Sequence, residues 1–376
     1  MSATDSTTQI VATALVSEIA SAQVELLRPA TSQPPSARFH PSVGLPEQSV
    51  SYRPCPPWPS GSKTDSAVTV TTPLLTVTIP PASVPLIFAH RQWRAGLILA
   101  DLIAAASHSS PFNVQGRSVL ELGCGTAIPG MVAAKVGQSS RSLVTDYASP
   151  PLIGTLTSNV RSNFTPEHIK ALIRPAGFTW GSSTEDLEDI VDALAREQRR
   201  AGETPQTSYR WDCILLADCL WDPLSHADLL ASITKLLEKP DGRVLVVSGL
   251  HTGREKLVNF IRRARRSGLA LVNVGAGFPS LDAEQQVVAQ AEQASMTLDD
   301  ALYYAPQFVY ELELASDDDD EQDPTAACID TGSQPRLTGR RRTFVIEERE
   351  EESKELGGVH VRNRWITVWG LGWAGN

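Results

Sequence analysis

Cysteine pairs, long apolar runs and excess positive charge are all missing from this 376-residue sequence. Its five cysteines (Cys55, Cys124, Cys213, Cys219, Cys328) are odd in number and form no C-x-x-C pair. That pattern suits the reduced thiols of a cytosolic protein better than a disulfide framework or a zinc site. No apolar run approaches the length that crosses a bilayer. The first residues carry Asp5, Glu18 and Glu25 and no basic stretch, so they read poorly as a secretory or transit leader. With 33 Lys and Arg against 43 Asp and Glu the net charge is −10, which leaves no basic footprint for nucleic acid or an anionic membrane. What the chain does have is a 41% hydrophobic composition, enough for a large core in one to three domains.

The most informative stretch is Ser118-Val-Leu-Glu-Leu-Gly-Cys-Gly-Thr-Ala-Ile-Pro-Gly130. Val119, Leu120 and Leu122 predict a short buried parallel strand. Gly123 and Gly125 follow where the backbone must turn sharply and admit a ligand. From Ile128 the pattern is helical (Met131, Val132, Ala134), with Pro129 in the first turn, where its missing N–H costs least. Strand, glycine turn and helix together lay out a nucleotide-type pocket, in which free N–H groups at the helix start face the ligand. A dinucleotide fingerprint would put its third glycine at position 128, where the chain has Ile, and this argues against a nicotinamide-dinucleotide oxidoreductase.

In chain order, Ile10 to Leu27 predicts an amphipathic helix. Pro29 to Ser66 is rich in proline and serine, a surface wrap or a short recognition element around Trp58. Residues 67 to 79 predict a strand pair broken at Pro73, and 88 to 103 a helix. Ser142 to Asp146 is a strand whose terminal acid lies about twenty residues past the glycine turn, where such folds bind a ribose diol; a turn cap is the other reading. Strands follow at 173–180, 211–218 and 242–248, with helices at 152–164, 226–237 and 253–267 between and after them. Residues 308–314, 340–346 and 364–369 predict further β segments. We therefore expect an α/β fold: a doubly wound, mostly parallel seven-stranded Rossmann-like sheet with an antiparallel C-terminal end. Residues 1–66 form an N-terminal extension and 67–376 the main domain, with a polar insertion at about 184–208 and an acidic loop at about 315–335.

The glycine motif, Thr145-Asp-Tyr147, Phe178-Thr-Trp180-Gly181 and Ala217-Asp-Cys-Leu-Trp-Asp-Pro223 occur in this order. With them the chain resembles the class I, seven-β-strand S-adenosylmethionine-dependent methyltransferases of the lysine methyltransferase family. Their relatives include fungal proteins labelled nicotinamide N-methyltransferase-like and enzymes that methylate translation elongation factors. The likeness covers about 88 to 369 and implies S-adenosyl-L-methionine as cofactor, with no metal. Gly123 and Gly125 would cradle its methionine part, Glu121 would support the amino group, and Asp146 would hold the ribose hydroxyls. Trp180 would lie beside adenine, with Trp93 and Ala217 near the cofactor. Asp218 and Trp221 are the catalytic candidates: the family element Asp-x-x-Tyr stands here as Asp218-Cys-Leu-Trp221, which keeps an aromatic wall and loses the phenol hydroxyl. Trp93 and Trp180 also read as core aromatics, and Asp218 as a helix cap. His251-Thr-Gly-Arg254 reads equally as a helix start or as groups pointing into the cleft. The implied activity is N-methylation of a protein amine, a lysine or an N-terminus. A small-molecule N-methyltransferase of the nicotinamide type and a catalytically silent binding protein are the alternatives. The implied partner is a protein such as a translation factor, or a small amine, with no nucleic acid and no membrane. The expected setting is a monomer in the cytoplasm, with the nucleus as a further compartment.

Overall fold

Strands that are apolar on both faces belong in the middle of a covered sheet, and the apolar runs of this chain take that place. A computed structural model of the protein describes residues 41–54, 57–58, 75–82, 87–185, 187–190, 192, 209–275, 278, 308–315, 336–345 and 362–375. In chain order the elements begin with β1 (Ser42–Val43), β2 (Ser49–Tyr52), β3 (Leu75–Thr78), β4 (Gln92–Trp93) and α1 (Arg94–Ala104). Next come β5 (Ser118–Leu122), α2 (Ile128–Lys135), β6 (Arg141–Asp146), α3 (Pro150–Asn163), α4 (Pro166–Ala171) and β7 (Ile173–Gly177). They continue with β8 (Cys213–Ala217), α5 (His226–Leu236), β9 (Arg243–Gly249), α6 (Arg254–Arg266) and β10 (Leu269–Val272). The last strands are β11 (Phe308–Leu314), β12 (Leu337–Val345) and β13 (Trp365–Trp373).

The main sheet runs β12-β11-β13-β9-β8-β5-β6-β7, and β10 pairs with β13. β7, β6, β5, β8 and β9 are parallel; β13, β11, β12 and β10 pair antiparallel. This is the expected doubly wound architecture with its antiparallel end. It carries nine strands where seven were expected, because β12 widens one edge and the short β10 folds back along β13. Alternation along each strand divides the core between the two faces. Val119, Val144, Leu215 and Val247 pack beneath α1, α2 and α3, while Leu120, Leu143, Leu216 and Val246 pack beneath α5 and α6.

Residues on either side of the expected boundary at 66/67 are joined in one antiparallel pair, β2 with β3. Two asparagines one turn apart on α3 hold its edge. Asn159 accepts from Thr78 N–H (2.7 Å) and donates to Thr78 O (3.0 Å), and Asn163 does the same with Thr76 (3.0 and 2.7 Å). Tyr52 Oη then donates to Asp101 of α1 at 2.5 Å. The helix expected from residue 88 starts only at Arg94. Gln92 and Trp93 are held in β4 by Val43 and Ser42, and Phe88 has a left-handed backbone (φ 51). The strand expected over 173–180 ends at Gly177. The expected helix at 10–27 and the acidic loop lie outside the described residues, as does most of the polar insertion. Among the described residues no helix is long and apolar enough to cross a membrane.

Candidate functional site

The parallel register brings Leu122, Asp146 and Ala217 to the same carboxyl edge of the sheet, the edge at which open α/β sheets bind ligands. After Leu122 the chain turns through Gly123 (φ 67), Gly125 (φ 52) and Ala127 (φ 63), all left-handed, before α2 begins. At Gly123 a side chain has no room: a Cβ there would lie 2.9 Å from Trp180 Cζ2 and 3.0 Å from Cys219 Sγ. At Gly125 nothing lies within 4 Å of that position, so the turn stays open toward the cavity. Asp146 ties the turn to the second strand. Its Oδ2 accepts the Gly125 N–H at 2.6 Å and its Oδ1 the Tyr147 N–H at 2.7 Å.

Glu121 points the other way from Leu120 and Leu122, under the first turn of α2. Its Oε2 accepts the Gly130 N–H at 2.8 Å, while its buried Oε1 has no hydrogen-bond partner. Burial pushes this carboxyl up to about 8; the Gly130 N–H opposes the shift and the neighbouring Asp146 charge adds to it. Burial also raises Asp146, to about 6, against the pull of the Gly125 and Tyr147 amides. Two buried acids side by side favour any ligand that brings positive charge or hydroxyl donors.

Asp218 follows β8 with φ 58, a left-handed conformation that costs a non-glycine residue about 1–2 kcal/mol. Its N–H donates to Val247 O (2.9 Å) and its Oδ1 accepts the Gly249 N–H (3.0 Å), which hold the strained turn, while Oδ2 has no hydrogen-bond partner. Burial raises its carboxyl; the His251 charge, the Gly249 N–H and the Ser248 hydroxyl lower it. Trp221 sits edge-on to Phe88 at 5.0 Å. The Phe88 carbonyl in turn accepts Trp93 Nε1–H at 3.1 Å, and the Trp93 ring stacks on His251 at 5.1 Å.

A cavity of about 330 Å³ gathers these groups. Trp93, Glu121, Gly123, Gly125, Asp146, Trp180, Ala217, Asp218 and Trp221 all line it. The nine residues given a cofactor or catalytic role from the sequence thus meet in one place. Asp222, Ser225 and Asp228 also line it, next to exposed Tyr147 and Leu224 (45% and 62%). Of His251-Thr-Gly-Arg254, Arg254 pairs with Glu311 through two N–H bonds of 2.6 Å, and His251 stands behind the Asp218 wall. Sequence reasoning passed over Gln92, which accepts from the Thr126 hydroxyl beside the glycine turn, and Phe88. The position of Gln92 comes from the pairing of β4 with β1, fifty residues back, which leaves no local signal.

Residues 87–267 match the family described as lysine methyltransferase. The chain is similar to curated fungal proteins named protein N-terminal and lysine N-methyltransferase EFM7. The one from Candida glabrata is 29% identical over 165 residues, 44% of this chain and 56% of that protein. Those from Candida albicans and Schizosaccharomyces pombe are each 28% identical, over 44% of this chain and 58% and 57% of theirs. The chain therefore spans little more than half the length of these relatives.

Proposed function

We propose, from the match of residues 87–267 to the lysine methyltransferase family and from the site geometry, that this chain is an S-adenosylmethionine-dependent N-methyltransferase of a protein amine. The observation that carries the reading is the unpartnered, buried Glu121 Oε1 at a cavity that Asp146 also lines. The residues fit the cofactor. Glu121 offers a lone carboxylate oxygen to its ammonium, Asp146 has acceptor capacity for its ribose diol, and Gly125 leaves the backbone open for close approach. Trp180 supplies a flat wall for adenine. When bound, this group supplies a methyl already activated on a sulfonium, so the chain needs no nucleophile of its own.

The protein's task is alignment. An incoming lone pair must line up with the S–CH₃ bond in a site that excludes water. A lysine amine has an ordinary pKa near 10.4 and is mostly protonated at neutral pH, so the site must also let its proton go. A carboxylate alone raises the pKa of a nearby amine, so Asp218 serves better to orient the amine than as a strong base. Trp221, backed by Phe88, walls that side, without the hydroxyl that a tyrosine would bring.

Exposed Tyr147 and Leu224, with Asp222 and Asp228 at the cavity, favour a docked chain segment over an enclosed small amine. The names of the similar fungal proteins support the same class, a protein N-terminus or lysine. A translation factor is one such substrate. The buried free thiols Cys124, Cys213 and Cys219 suit a cytoplasmic setting. The test is incubation with methyl-labelled cofactor and cell extract, followed by hydrolysis of the labelled products. Label in methylated lysine or a methylated N-terminal residue supports the reading. Label confined to small amines redirects it to the nicotinamide type, and no transferred label refutes it.

A further inference from the structure

Two polar atoms behind the reaction wall are buried without hydrogen-bond partners: Asp218 Oδ2 and His251 Nδ1. Asp218 borders two spaces, the large cavity and a void of about 10 Å³ whose lining includes His251, Arg94, Asn363 and Trp365. Gly249 keeps the two side chains in view of each other. A Cβ at that residue would lie 2.6 Å from His251 Nδ1 and 3.5 Å from Asp218 Oδ2, so any other residue would fill the notch between them. The imidazole is fixed from its face, stacked nearly parallel on Trp93 (14°), and Trp93 is fixed by its bond to Phe88 O. No hydrogen bond joins the two atoms as placed. One water in a void of that size can bridge them.

We propose that His251 is a positioning residue for Asp218, presenting its Nδ1–H across the Gly249 notch to Oδ2 and keeping the carboxylate ionised and oriented in the cavity wall. The physical need is plain. A carboxylate buried with one satisfied oxygen is costly and tends to protonate, and a protonated Asp218 cannot attract an ammonium. A donor fixed behind it offsets that cost from the side the substrate does not occupy. The Trp93 stack gives His251 a second use: the same indole lines the cofactor cavity, so the orientation of the imidazole and the shape of that cavity are set together.

The inference rests on the methyl-transfer reading above, and its test separates the two. His251→Phe keeps a ring on Trp93 and removes Nδ1, whereas His251→Asn returns an N–H near the same place without the ring. With wild type as reference, His251→Phe keeps its affinity for S-adenosylmethionine in calorimetry. Its turnover on a methylated acceptor at saturating cofactor falls on the order of 10²-fold, the cost of a misplaced reacting group. His251→Asn recovers part of that turnover. Independently of activity, the Nδ1 resonance in ¹⁵N-histidine-labelled protein lies in the protonated range and moves toward the unprotonated range in Asp218→Asn. Full turnover in His251→Phe, or equal loss of cofactor affinity and turnover, overturns the proposal by leaving His251 only a packing role. An Nδ1 signal indifferent to Asp218→Asn overturns it as well. Wild type that transfers no methyl to any acceptor removes the enzymatic reading instead, and the resonance still decides whether the pair exists.

Discussion

Glu121→Gln should make the cofactor-free protein more stable and its cofactor binding weaker, and the size of the first effect depends on pH. In the folded chain the carboxyl titrates at about 8, with a reference value of 4.5. Below pH 4.5 both states hold the proton and the group is neutral in its effect. Between pH 4.5 and 8 the unfolded chain releases the proton and the folded chain keeps it. Each pH unit in that window therefore removes about 1.4 kcal/mol of stability. Above pH 8 both states are ionised and the penalty levels off. Integrated, wild type bears on the order of 3 kcal/mol at pH 7 and 5 kcal/mol at pH 9, which an uncharged glutamine avoids while still accepting the Gly130 N–H. Urea unfolding at pH 5, 7 and 9 without cofactor measures this. The gap between variant and wild type should be small at pH 5 and widen with pH. A gap that stays flat refutes the reasoning, because it would mean that Glu121 is already solvated or paired. The second half is read by calorimetry: glutamine brings no negative charge to pair with an ammonium, so affinity should drop by about 1–3 kcal/mol, the range for hydrogen bonds to charged groups.

Asp146→Ala should weaken S-adenosylmethionine binding by about 1–3 kcal/mol, measured by titration; unchanged affinity would remove this acid from the site. Asp218→Ala should leave cofactor affinity intact and depress methyl transfer, so full turnover in steady-state kinetics would end its assigned role. Gly130→Ala should destabilise the fold by about 1–3 kcal/mol through overpacking, since the new Cβ would lie 2.3 Å from Val144 Cγ1 and 2.7 Å from Glu121 Oε2. Thermal denaturation checks that effect, and a variant as stable as wild type would show that α2 can shift away from β5.

The parallel strands were legible because burial on both faces leaves a continuous apolar run, as in Cys213 to Ala217, and the glycine turn after Leu122 announced which edge carries the site. The nine site residues read from the sequence share one cavity because most of them end or follow a parallel strand, and register then does the rest. The start of α1 was not legible. Trp93, Leu97 and Ala100 are spaced as a helix would space them, yet Gln92 and Trp93 pair with Val43 and Ser42, which no local pattern reveals. Asn159 and Asn163 read as ordinary polar positions on α3; their work is to satisfy the backbone of β3, about eighty residues earlier. His251 was ambiguous for the same reason, since Trp93 and Asp218, which define it, lie on other elements.

The most direct test of the central claim is a calorimetric titration of the full chain with S-adenosylmethionine at pH 7 in two buffers of different ionisation enthalpy. Saturable one-to-one binding, with a heat that differs between buffers as Glu121 releases its proton to the buffer on pairing with the incoming ammonium, is the predicted result. Absence of saturable binding would contradict the claim that the turn after Leu122, between Glu121 and Asp146, is built to seat this cofactor.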